Sequence, residues 1–350
     1  MHFALRLAER GWGQTAPNPM VGAVVFKGSE MVGEGFHQRF GDSHAELIAL
    51  HEAGDRARGG TLYVNLEPCN HHGRNPPCTE AIIAAGIARV VVAVRDPNPV
   101  ASGGAERLRT AGVQVDFGVL ENEARELNAV FFNRVASDFP WVTLKLALSL
   151  DGAIAGSKRT RGWLTNEKSR AIVQRMRANS DAIAVGVETA IADDPQLTAR
   201  TDPPPRVAPM RIVFDRTARL PSTTLLAKSA RATPTLIVTA ENTTAPDALA
   251  DSGVEAMAAH DLGDALRKLR VRGIASILVE GGAGLAASFL AGDYVDRLVI
   301  FRAPVVLGGG ALGGFSGIAP LDADQSPRFE LLDVRRIDDD VMTVYATRRR

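Results

Sequence analysis

Residues 61–86 read TLYVNLEPCNHHGRNPPCTEAIIAAG, and this stretch contains the features that decide the fold. Its first six residues are mostly apolar and include strand-forming types, which predicts a strand over 61–66. Apolar residues at helical spacing after Cys78 predict a helix that begins there. Segments of both kinds alternate on either side, and this alternation predicts an α/β layer fold. The other elements predicted in this half are strands over 21–27, 89–94 and 113–117 and a helix from His44.

Cys69 and Cys78 are the two cysteines of the 350-residue chain, for which we expect no export signal. A lone pair in such a chain is more often metal-binding or catalytic than a structural disulfide. His44-Ala45-Glu46, at the start of a predicted helix, adds an imidazole and a carboxylate. His44, Cys69 and Cys78 offer three ligands for zinc and leave the fourth position to water. Glu46 can then carry a proton from that water to a leaving amine.

A closed structural zinc site is the alternative for the same residues. In that case His71 or His72, both in the loop between the cysteines, supplies a fourth ligand, and Glu46 is a solvated carboxylate. The pairing of His44 with Glu46 matches the His-x-Glu signature of zinc deaminases and favours catalysis. That signature spaces its cysteines by two residues, whereas residues 70–77 separate them here. The spacing of the cysteines therefore does not identify the substrate.

A domain boundary is predicted near Asp138-Phe139-Pro140, because proline disfavours helix in the residue before it. The sequence after this point repeats the alternation of apolar strands with helical segments. We therefore expect one α/β domain over 1–138 and a second over 141–350. The strands predicted in the second domain are 143–148, 182–185, 212–214, 236–238, 276–279 and 298–301.

A glycine-rich turn follows one of these strands, where Val279 leads into Glu280-Gly281-Gly282-Ala283-Gly284 and a helical segment. Glycines at the start of a helix let backbone N–H groups approach a phosphate. The turn is not the G-x-G-x-x-G fingerprint, and by itself it fits a tight turn equally well. It indicates a phosphorylated ligand only together with other residues of the domain.

The charge balance bears on the kind of partner. Lysine plus arginine and aspartate plus glutamate number 40 each, and no basic run is long enough to form a stripe for nucleic acid. A small, locally charged substrate therefore fits better than a polyanion. Apolar runs are too short for a membrane span, and Arg6 precedes any apolar stretch, so we expect a cytoplasmic protein without a leader.

Several motifs of the first half together resemble the deaminase domain of bifunctional riboflavin biosynthesis proteins. They are Ala16-Pro17-Asn18-Pro19-Met20-Val21-Gly22, His44-Ala45-Glu46, Glu67-Pro68-Cys69-Asn70-His71-His72-Gly73-Arg74 with Pro77-Cys78, and Asp96-Pro97-Asn98-Pro99. The resemblance implies a cytidine-deaminase-like α/β/α domain in which His44, Cys69 and Cys78 bind zinc and Glu46 is the proton donor. The residues that it implies for contact with the pyrimidine are Asn18, His37 and His71.

The second half resembles the reductase domain of the same family over about residues 141–347. The motifs concerned are Lys145-Leu146, Ser149-Leu150-Asp151-Gly152, Trp163-Leu164-Thr165, the run from Asp193 to Arg200, and Val279-Glu280-Gly281-Gly282. The resemblance implies a dihydrofolate-reductase-like α/β fold that binds NADPH. The residues implied for the cofactor are Ala147, Trp163, Thr189, Asp193, Gly282, Ala283, Gly284, Leu285, Ala286 and Ala287. Those implied for the sugar phosphate are Arg177, Leu197, Arg200 and Glu280.

Some positions depart from the family pattern. Ser43 and Ile48 lie next to the His44 motif, where the family often has proline and a polar residue. Arg161 and Arg216 stand where relatives commonly carry serine near the substrate and the cofactor. An extra cation there either strengthens binding of the 2′-phosphate of NADPH or points to solvent, and the sequence leaves both open.

The resemblance implies two consecutive reactions of riboflavin biosynthesis, with Zn²⁺ and NADPH as cofactors. A zinc hydroxide hydrolyses the 2-amino group of a diaminopyrimidinone that carries a phosphoribosylamino arm, and NADPH then reduces the ribosyl group to an open-chain ribityl group. We expect a homodimer or a tetramer. Two other hypotheses stay open: a deaminase of nucleic-acid bases, which the neutral charge opposes, and a zinc-stabilised binding protein without catalysis.

Overall fold

The computed structural model describes residues 1–71, 76–158, 162–319, 322, 324 and 326–347. The chain divides into two compact units, Met1–Ser137 and Asp138–Arg350, and each is described by itself. Each unit has its own apolar core, formed mainly by aliphatic side chains of the sheet and of the helices that cover it. Across the described ranges, no helix combines the length and the apolar character needed to cross a bilayer.

The N-terminal unit is built on one mixed sheet. Its strands are β1 (Gly22–Lys27), β2 (Glu30–Phe36), β3 (Thr61–Leu66), β4 (Arg89–Val94) and β5 (Gln114–Phe117). Its helices are α1 (His2–Ala8), α2 (Ala45–Ala53), α3 (Cys78–Ala84), α4 (Gly104–Thr110), α5 (Glu121–Leu127) and α6 (Ala129–Ala136), with short 3-10 helices at Glu9–Gly11 and Gly54–Ala57. The strand order is β2-β1-β3-β4-β5, in which β1 is antiparallel to both neighbours and β3, β4 and β5 run parallel.

Helices cover both faces of this sheet, because successive side chains of a strand point to opposite faces. Ala23 and Val25 of β1 belong to the core that α2, α3 and α4 complete. Val24, between them, packs with Ala4 and Leu7 of α1 instead. The result is an α/β/α layer in which α2 and α3 share one face.

Strand β2 lies against the backbone of α2. A Cβ atom on Gly35 would come within 2.5 Å of the carbonyl oxygen of Ala45, and one on Gly33 within 2.8 Å of the backbone nitrogen of Ala53. The helix therefore rests on the strand at a distance that only glycine permits. This contact fixes the first turn of α2, where Glu46 lies.

The C-terminal unit contains a larger sheet. Its strands are β6 (Trp141–Leu148), β7 (Ala153–Ala155), β8 (Ala182–Gly186), β9 (Met210–Phe214), β10 (Thr235–Ala240), β11 (Glu255–Ala259), β12 (Ser276–Glu280), β13 (Arg297–Arg302), β14 (Leu312–Gly313), β15 (Phe329–Ile337) and β16 (Asp340–Thr347). Its helices are α7 (Glu167–Ala178), α8 (Val187–Asp193), α9 (Leu225–Lys228), α10 (Asp247–Ser252), α11 (Leu262–Val271) and α12 (Ala283–Ala291).

The order of the large sheet is β11-β10-β9-β8-β12-β6-β13-β16-β15, and β7 pairs with β14 separately. The strands from β11 to β13 run parallel, whereas β16 is antiparallel to β13 and to β15. Ala182 and Ala184 of β8 face the core formed with α11 and α12, while Ile183 and Val185 face a second core on the other side. Parallel strands place their carboxyl ends at one edge, where open α/β sheets bind ligands.

Both units are α/β layers, as the alternation of strands and helices predicts, and the strands predicted over 61–66 and 89–94 have those bounds. The sequence patterns did not indicate β2, β11, β15 or β16. Strand β2 contains two glycines, β11 is mostly alanine, and β15 is an edge strand with a largely exposed face. Strands β2, β11 and β15 therefore lack the apolar run or the strict alternation on which such predictions depend.

Replacing Gly35 by alanine is expected to push α2 away from β2, because the methyl group meets backbone atoms rather than a flexible side chain. We expect a loss of about 1–3 kcal/mol in stability and a lower zinc content in the purified protein. Thermal unfolding and metal analysis measure the two effects. Met31→Ala, at an exposed position of the same strand, is the control. Parental zinc content in Gly35→Ala would show that the contact does not position the site.

Candidate active sites

Three potential zinc ligands come together in the N-terminal unit. His44 is the N-cap residue of α2, Cys69 follows β3, and Cys78 is the first residue of α3. The Nδ1 atom of His44 lies 3.2 Å from the Sγ atom of Cys78 and 3.5 Å from that of Cys69, and the three ligand atoms all lie within 4.8 Å of one another. Tetrahedral zinc with bonds of about 2.0–2.3 Å holds its ligands about 3.5–3.8 Å apart. The three residues therefore fit a zinc ion.

The two thiols of this cluster differ in acidity. The hydrogen bond from Cys78, and then that from His44, lowers the pKa of the Cys69 thiol, although burial opposes the change. The same contact with Cys69 raises the pKa of the Cys78 thiol, and burial raises it further. The surroundings of Cys69 therefore favour its thiolate form, whereas Cys78 needs a bound cation to ionise fully.

Glu46 is buried in the first turn of α2, with 3% of its surface exposed. Burial raises the pKa of its carboxyl group to about 7, and the nearby charge of Cys69 also raises it. A carboxyl group that titrates near neutrality can both accept and release a proton. This placement is incompatible with the alternative in which Glu46 is a solvated carboxylate.

His71 was a possible fourth ligand in the closed structural site. Among the described residues, the cluster that could hold a metal comprises His44, Cys69 and Cys78, without His71. The Nδ1 atom of His71 is buried and has no hydrogen-bond partner among the described residues. His71 therefore keeps an unused polar atom in the loop that follows Cys69. His72 lies outside the described residues.

His37 is buried next to Asn18, with 2% of its surface exposed. Its Nδ1 atom lies 3.1 Å from the carbonyl oxygen of Ser43, and its Nε2 atom lies 3.1 Å from the Nδ2 atom of Asn18. Burial lowers the pKa of His37, so the imidazole is mainly neutral at pH 7. A neutral ring that donates from Nδ1 to the carbonyl accepts from the amide of Asn18 through Nε2. This leaves the amide oxygen of Asn18 available for a substrate.

The segment that carries Asn18 is held by two buried asparagines. The backbone N–H of Met20 donates to Oδ1 of Asn128 over 2.8 Å, and Nδ2 of Asn128 donates back to the carbonyl of Met20 over 2.9 Å. Asn65 donates to the same carbonyl over 3.0 Å. Sequence reasoning missed both, because they lie 108 and 45 residues from Met20 and a lone asparagine has no motif around it.

The C-terminal unit contains a cleft of about 1670 Å³ along the carboxyl ends of its parallel strands. Most of the residues implied for cofactor and substrate line it: Ala147, Trp163, Thr189, Asp193, Gly282, Ala283, Gly284, Leu285, Arg177, Leu197, Arg200 and Glu280. Ala286 and Ala287 are instead buried within α12, and Ala286 packs in the core. Arg216 lines the cleft, whereas Arg161 lies outside the described residues.

A buried ion pair lines this cleft. The Nε and Nη2 atoms of Arg177 donate to the two carboxylate oxygens of Glu280, the second over 2.9 Å, and the side chains are 12% and 11% exposed. Nη1 of Arg177 donates to the carbonyl of Thr198 over 3.0 Å. Burial alone would raise the pKa of Glu280, but the hydrogen bonds and charge of Arg177, together with Lys145, lower it. Glu280 is therefore a carboxylate at neutral pH.

Lys145 also lines the cleft, and sequence reasoning gave it no role. It lies on β6 directly opposite Glu280 of β12 in the parallel register. Burial lowers the pKa of its ammonium group, and the charge of Glu280 partly opposes this. A lone lysine in an apolar strand was the available signal, but only the register between β6 and β12 shows its partner.

The turn before α12 is shaped for an anion. Gly282 is the N-cap residue of α12, and its N–H group donates to Oγ1 of Thr189 over 3.1 Å. The space around the missing Cβ of Gly284 is open. Ala283 and Gly284 follow at this helix start and line the cleft. The first N–H groups of a helix have no partner in a preceding turn, and they suit a phosphate.

Comparisons with known proteins assign both units. The family model for the RibD C-terminal domain matches residues 140–343, and that for the cytidine and deoxycytidylate deaminase zinc-binding region matches residues 1–94. The riboflavin biosynthesis protein RibD of Aquifex aeolicus is 44% identical over 325 residues, which cover 92% of this chain and 91% of that protein. The RibD protein of Escherichia coli is 40% identical over 356 residues, 97% of this chain and 96% of that protein.

Solved structures agree with these matches. RibD of Acinetobacter baumannii is 37% identical and superposes with a TM-score of 0.85 over 99% of this chain and 98% of that one. A structure from Thermotoga maritima, described as a diaminohydroxyphosphoribosylaminopyrimidine deaminase/5-amino-6-(5-phosphoribosylamino)uracil reductase, is also 37% identical. Its TM-score is 0.86, over 99% of this chain and 97% of that one.

The fold and the two sites define a zinc-dependent deaminase joined to an NADPH-dependent reductase. Both activities are carried on one chain, in the order that the relatives have over nearly their full length. The chain belongs to the RibD family of riboflavin biosynthesis proteins, as a bifunctional deaminase and reductase. The predicted family, fold class and cofactors are thereby confirmed.

Replacing Arg177 by methionine is expected to abolish NADPH oxidation and to leave ammonia release intact. The carboxylate of Glu280 then loses its bidentate partner, and breaking a buried ion pair in this way costs about 3–5 kcal/mol. Thermal unfolding and the two activity assays report these effects separately. Lys168→Met on the exposed face of α7 is the control, since Lys168 pairs with Asp338 at the surface. Parental NADPH oxidation by Arg177→Met would rule out a role for the pair.

Proposed function

We propose that residues 1–138 deaminate a diaminohydroxyphosphoribosylaminopyrimidine and that residues 141–350 reduce the ribosyl arm of the deaminated product. The Thermotoga maritima relative is described by these two activities and aligns over 99% of this chain. The observation that carries the proposal is the burial of Glu46 beside three zinc ligands. Such an arrangement suits hydrolytic attack on a ring carbon that bears an amino group.

Glu46 is the proton carrier of the first reaction. His44, Cys69 and Cys78 would hold the metal, and zinc bound there supplies activation of a water molecule for attack on the ring. The carboxylate of Glu46 takes one proton from the attacking water and passes it to the amino group as the C–N bond breaks. One water is consumed, ammonia leaves and a ring carbonyl remains. The raised pKa of Glu46 suits both transfers.

Asn18 and His71 are proposed to contact the pyrimidine. Asn18 presents its amide oxygen, because His37 engages its amide nitrogen. His71 presents a buried ring nitrogen that has no partner among the described residues. Groups that recognise the ring by hydrogen bonds discriminate against analogues that lack the matching atoms. In this arrangement His37 positions Asn18 rather than contacting the substrate.

Arg200 is the proposed partner of the substrate phosphate in the second reaction. Arg177 is already engaged by Glu280, whereas Nη1 of Arg200 contacts neutral oxygens of Gln196 and Thr198 at 3.3 and 2.9 Å. A guanidinium group without a carboxylate partner suits a phosphate. Leu197, 2% exposed, shapes the same loop beside the substrate.

The groups near β6 are proposed to serve the reduction itself. NADPH supplies a hydride for the sugar carbon, and the protein orients the two reactants and excludes water. Lys145 donates the proton that the ribose oxygen takes up as the ring opens, because burial lowers its pKa and eases release. Glu280 holds Arg177 and Lys145 in place. The proposed cofactor contacts are Ala147, Trp163, Thr189, Asp193 and the turn from Gly282 to Leu285.

A homodimer or tetramer is proposed for the assembly. Strand β15 forms the end of the large sheet and exposes Leu331, Leu332 and Val334, and Val341 of β16 adds to the patch. Leu331 and Val334 are 53% and 56% exposed. An edge strand with exposed apolar side chains is a template for pairing with another chain. A second copy covers this patch in the proposed assembly.

Replacing Glu46 by glutamine is expected to lower ammonia release by about 10²- to 10⁴-fold, because the amide cannot carry the proton. Zinc content should stay parental, since Glu46 is not among the ligands. The purified protein is incubated with the diaminopyrimidine substrate, and ammonia is followed before and after NADPH is added.

Two controls accompany this variant. Glu52→Gln changes an exposed carboxylate of the same helix and should deaminate like the parent. Deaminated product supplied directly should be reduced by Glu46→Gln at the parental rate. Normal ammonia release by Glu46→Gln, with zinc bound, would remove Glu46 from the mechanism.

Replacing Val334 by lysine is expected to shift the protein from an oligomer to a monomer, because a charge is then buried in the proposed contact. Sedimentation velocity measures the change in mass. Glu330→Gln on the same exposed strand is the control and should leave the mass unchanged. A parent that sediments as a monomer contradicts the assembly.

A further inference from the structure

The cleft of the C-terminal unit follows the sheet over six strands. Its walls include residues at the carboxyl ends of β6, β12, β8, β9, β10 and β11, which lie side by side in that order. Five steps of about 4.8 Å give a length of about 24 Å. One end holds the reactive groups around Lys145 and Glu280. The opposite end, at β9 to β11, is lined by Arg216, Val238, Ala259, Asp261 and Leu262.

The far end has the character of a nucleoside site. Val238 and Leu262 form an apolar wall next to polar groups at the rim. An extended dinucleotide whose nicotinamide lies near Lys145, and whose pyrophosphate lies at the start of α12, places its adenosine at β9 to β11. This orientation rests on the proposed function, in which the reductase cleft binds NADPH beside the ribosyl substrate.

Arg216 is the arginine that lines this end, and no ion pair with a carboxylate of the described residues is recorded for it. It is exposed, and its recorded contact within the described ranges is a hydrogen bond from Nη1 to the carbonyl of His260 at 3.3 Å. Two neighbouring acids, Asp261 and Asp264, are engaged elsewhere. Asp261 caps α11 through the N–H of Asp264 at 2.8 Å, and Asp264 pairs with Lys268 at 2.8 Å.

The backbone of Arg216 is fixed before any ligand binds. Its carbonyl accepts hydrogen bonds from the N–H of Ala240 at 3.0 Å and from the hydroxyl of Thr243 at 2.9 Å. These contacts join the ends of β9 and β10. Only the side chain of Arg216 therefore has to be ordered on binding, which limits the entropic cost.

We infer that Arg216 binds the 2′-phosphate of NADPH and sets the preference of this enzyme for NADPH over NADH. In dinucleotide sites an acid bonds the free 2′-hydroxyl of NADH, whereas an arginine accommodates the 2′-phosphate. At this end of the cleft, Oδ1 of Asp261 already accepts a helix N–H group. The guanidinium group of Arg216 has a backbone carbonyl as its recorded partner among the described residues, which leaves it able to bind a phosphate. The planar guanidinium group can pair two phosphate oxygens at once.

The test is a binding titration of the full-length protein with NADPH and with NADH, by calorimetry, without substrate. Arg216→Ser is expected to raise the Kd for NADPH about 10- to 100-fold and to leave the Kd for NADH within about twofold. Arg216→Lys should recover part of the NADPH affinity. Arg219→Ser, a neighbour that pairs with Glu188 at 2.7 Å and is not among the cleft-lining residues, is the matched control.

A fragment gives a second readout. Adenosine 2′,5′-bisphosphate should bind the parent more tightly than adenosine 5′-monophosphate, and Arg216→Ser should remove the difference. An unchanged ratio of NADPH to NADH affinity in Arg216→Ser overturns the inference while the cofactor site stands. A parent that binds neither dinucleotide overturns the cofactor site and the inference together.

Discussion

The backbone of α2 is in direct contact with strand β2, at a separation that leaves no room for a side chain on Gly33 or Gly35. The rest of the deaminase site depends on this contact. It sets the height of the first turn of α2 above the sheet, and with it the positions of His44 and Glu46. A similar close approach occurs at Gly104, where a Cβ atom would collide with the carbonyl of Pro68, just before Cys69.

Both close contacts act on the metal ligands through the backbone. Zinc requires its ligand atoms within a few tenths of an ångström of fixed positions. His44, Cys69 and Cys78 come from separate segments of the chain. The distances between their ligand atoms therefore depend on how closely those segments pack against one another. Backbone contacts vary less than contacts between long side chains, because no rotamer can relax them. A site assembled from three segments therefore benefits from glycines that lie outside it.

The reductase cleft is organised by charge. Arg177, Lys145 and Glu280 place two cations and one anion together, and the bidentate contact keeps Glu280 ionised despite its burial. A buried pair of this kind does not have to add stability, since desolvation of both ions offsets their attraction. Its value here is geometric, because it joins the ends of β12 and α7 beside Lys145 of β6, where the reduction is proposed to occur. Arg200 and Arg216 remain free of carboxylate partners among the described contacts.

The ligand set of the deaminase site could be predicted from sequence, because each ligand stands in a local motif and the chemistry of the residue types is specific. Glu46 was assigned in the same way, but its burial and its raised pKa needed the structure. Asn65, Asn128 and Lys145 could not be predicted, because each acts through a partner that is close only after folding. The edge strand β15 was missed for a related reason. Most of its apolar residues are exposed, so the pattern of burial on which strand prediction depends is absent.

The net charge of the chain is zero, but charged side chains in the reductase cleft are unevenly paired. The chain has 40 lysines and arginines and 40 aspartates and glutamates, and these totals give no information about the charge at single sites. Several acids of the cleft already have partners. Glu188 and Glu280 pair with arginines, and Asp261 accepts an N–H group at the start of a helix. Arg200 and Arg216 line the cleft without a recorded carboxylate partner among the described residues. Substrate and cofactor each carry a terminal phosphate monoester, so two separated guanidinium groups match two separated dianions. An enzyme that must hold both at once gains orientation as well as affinity from that match.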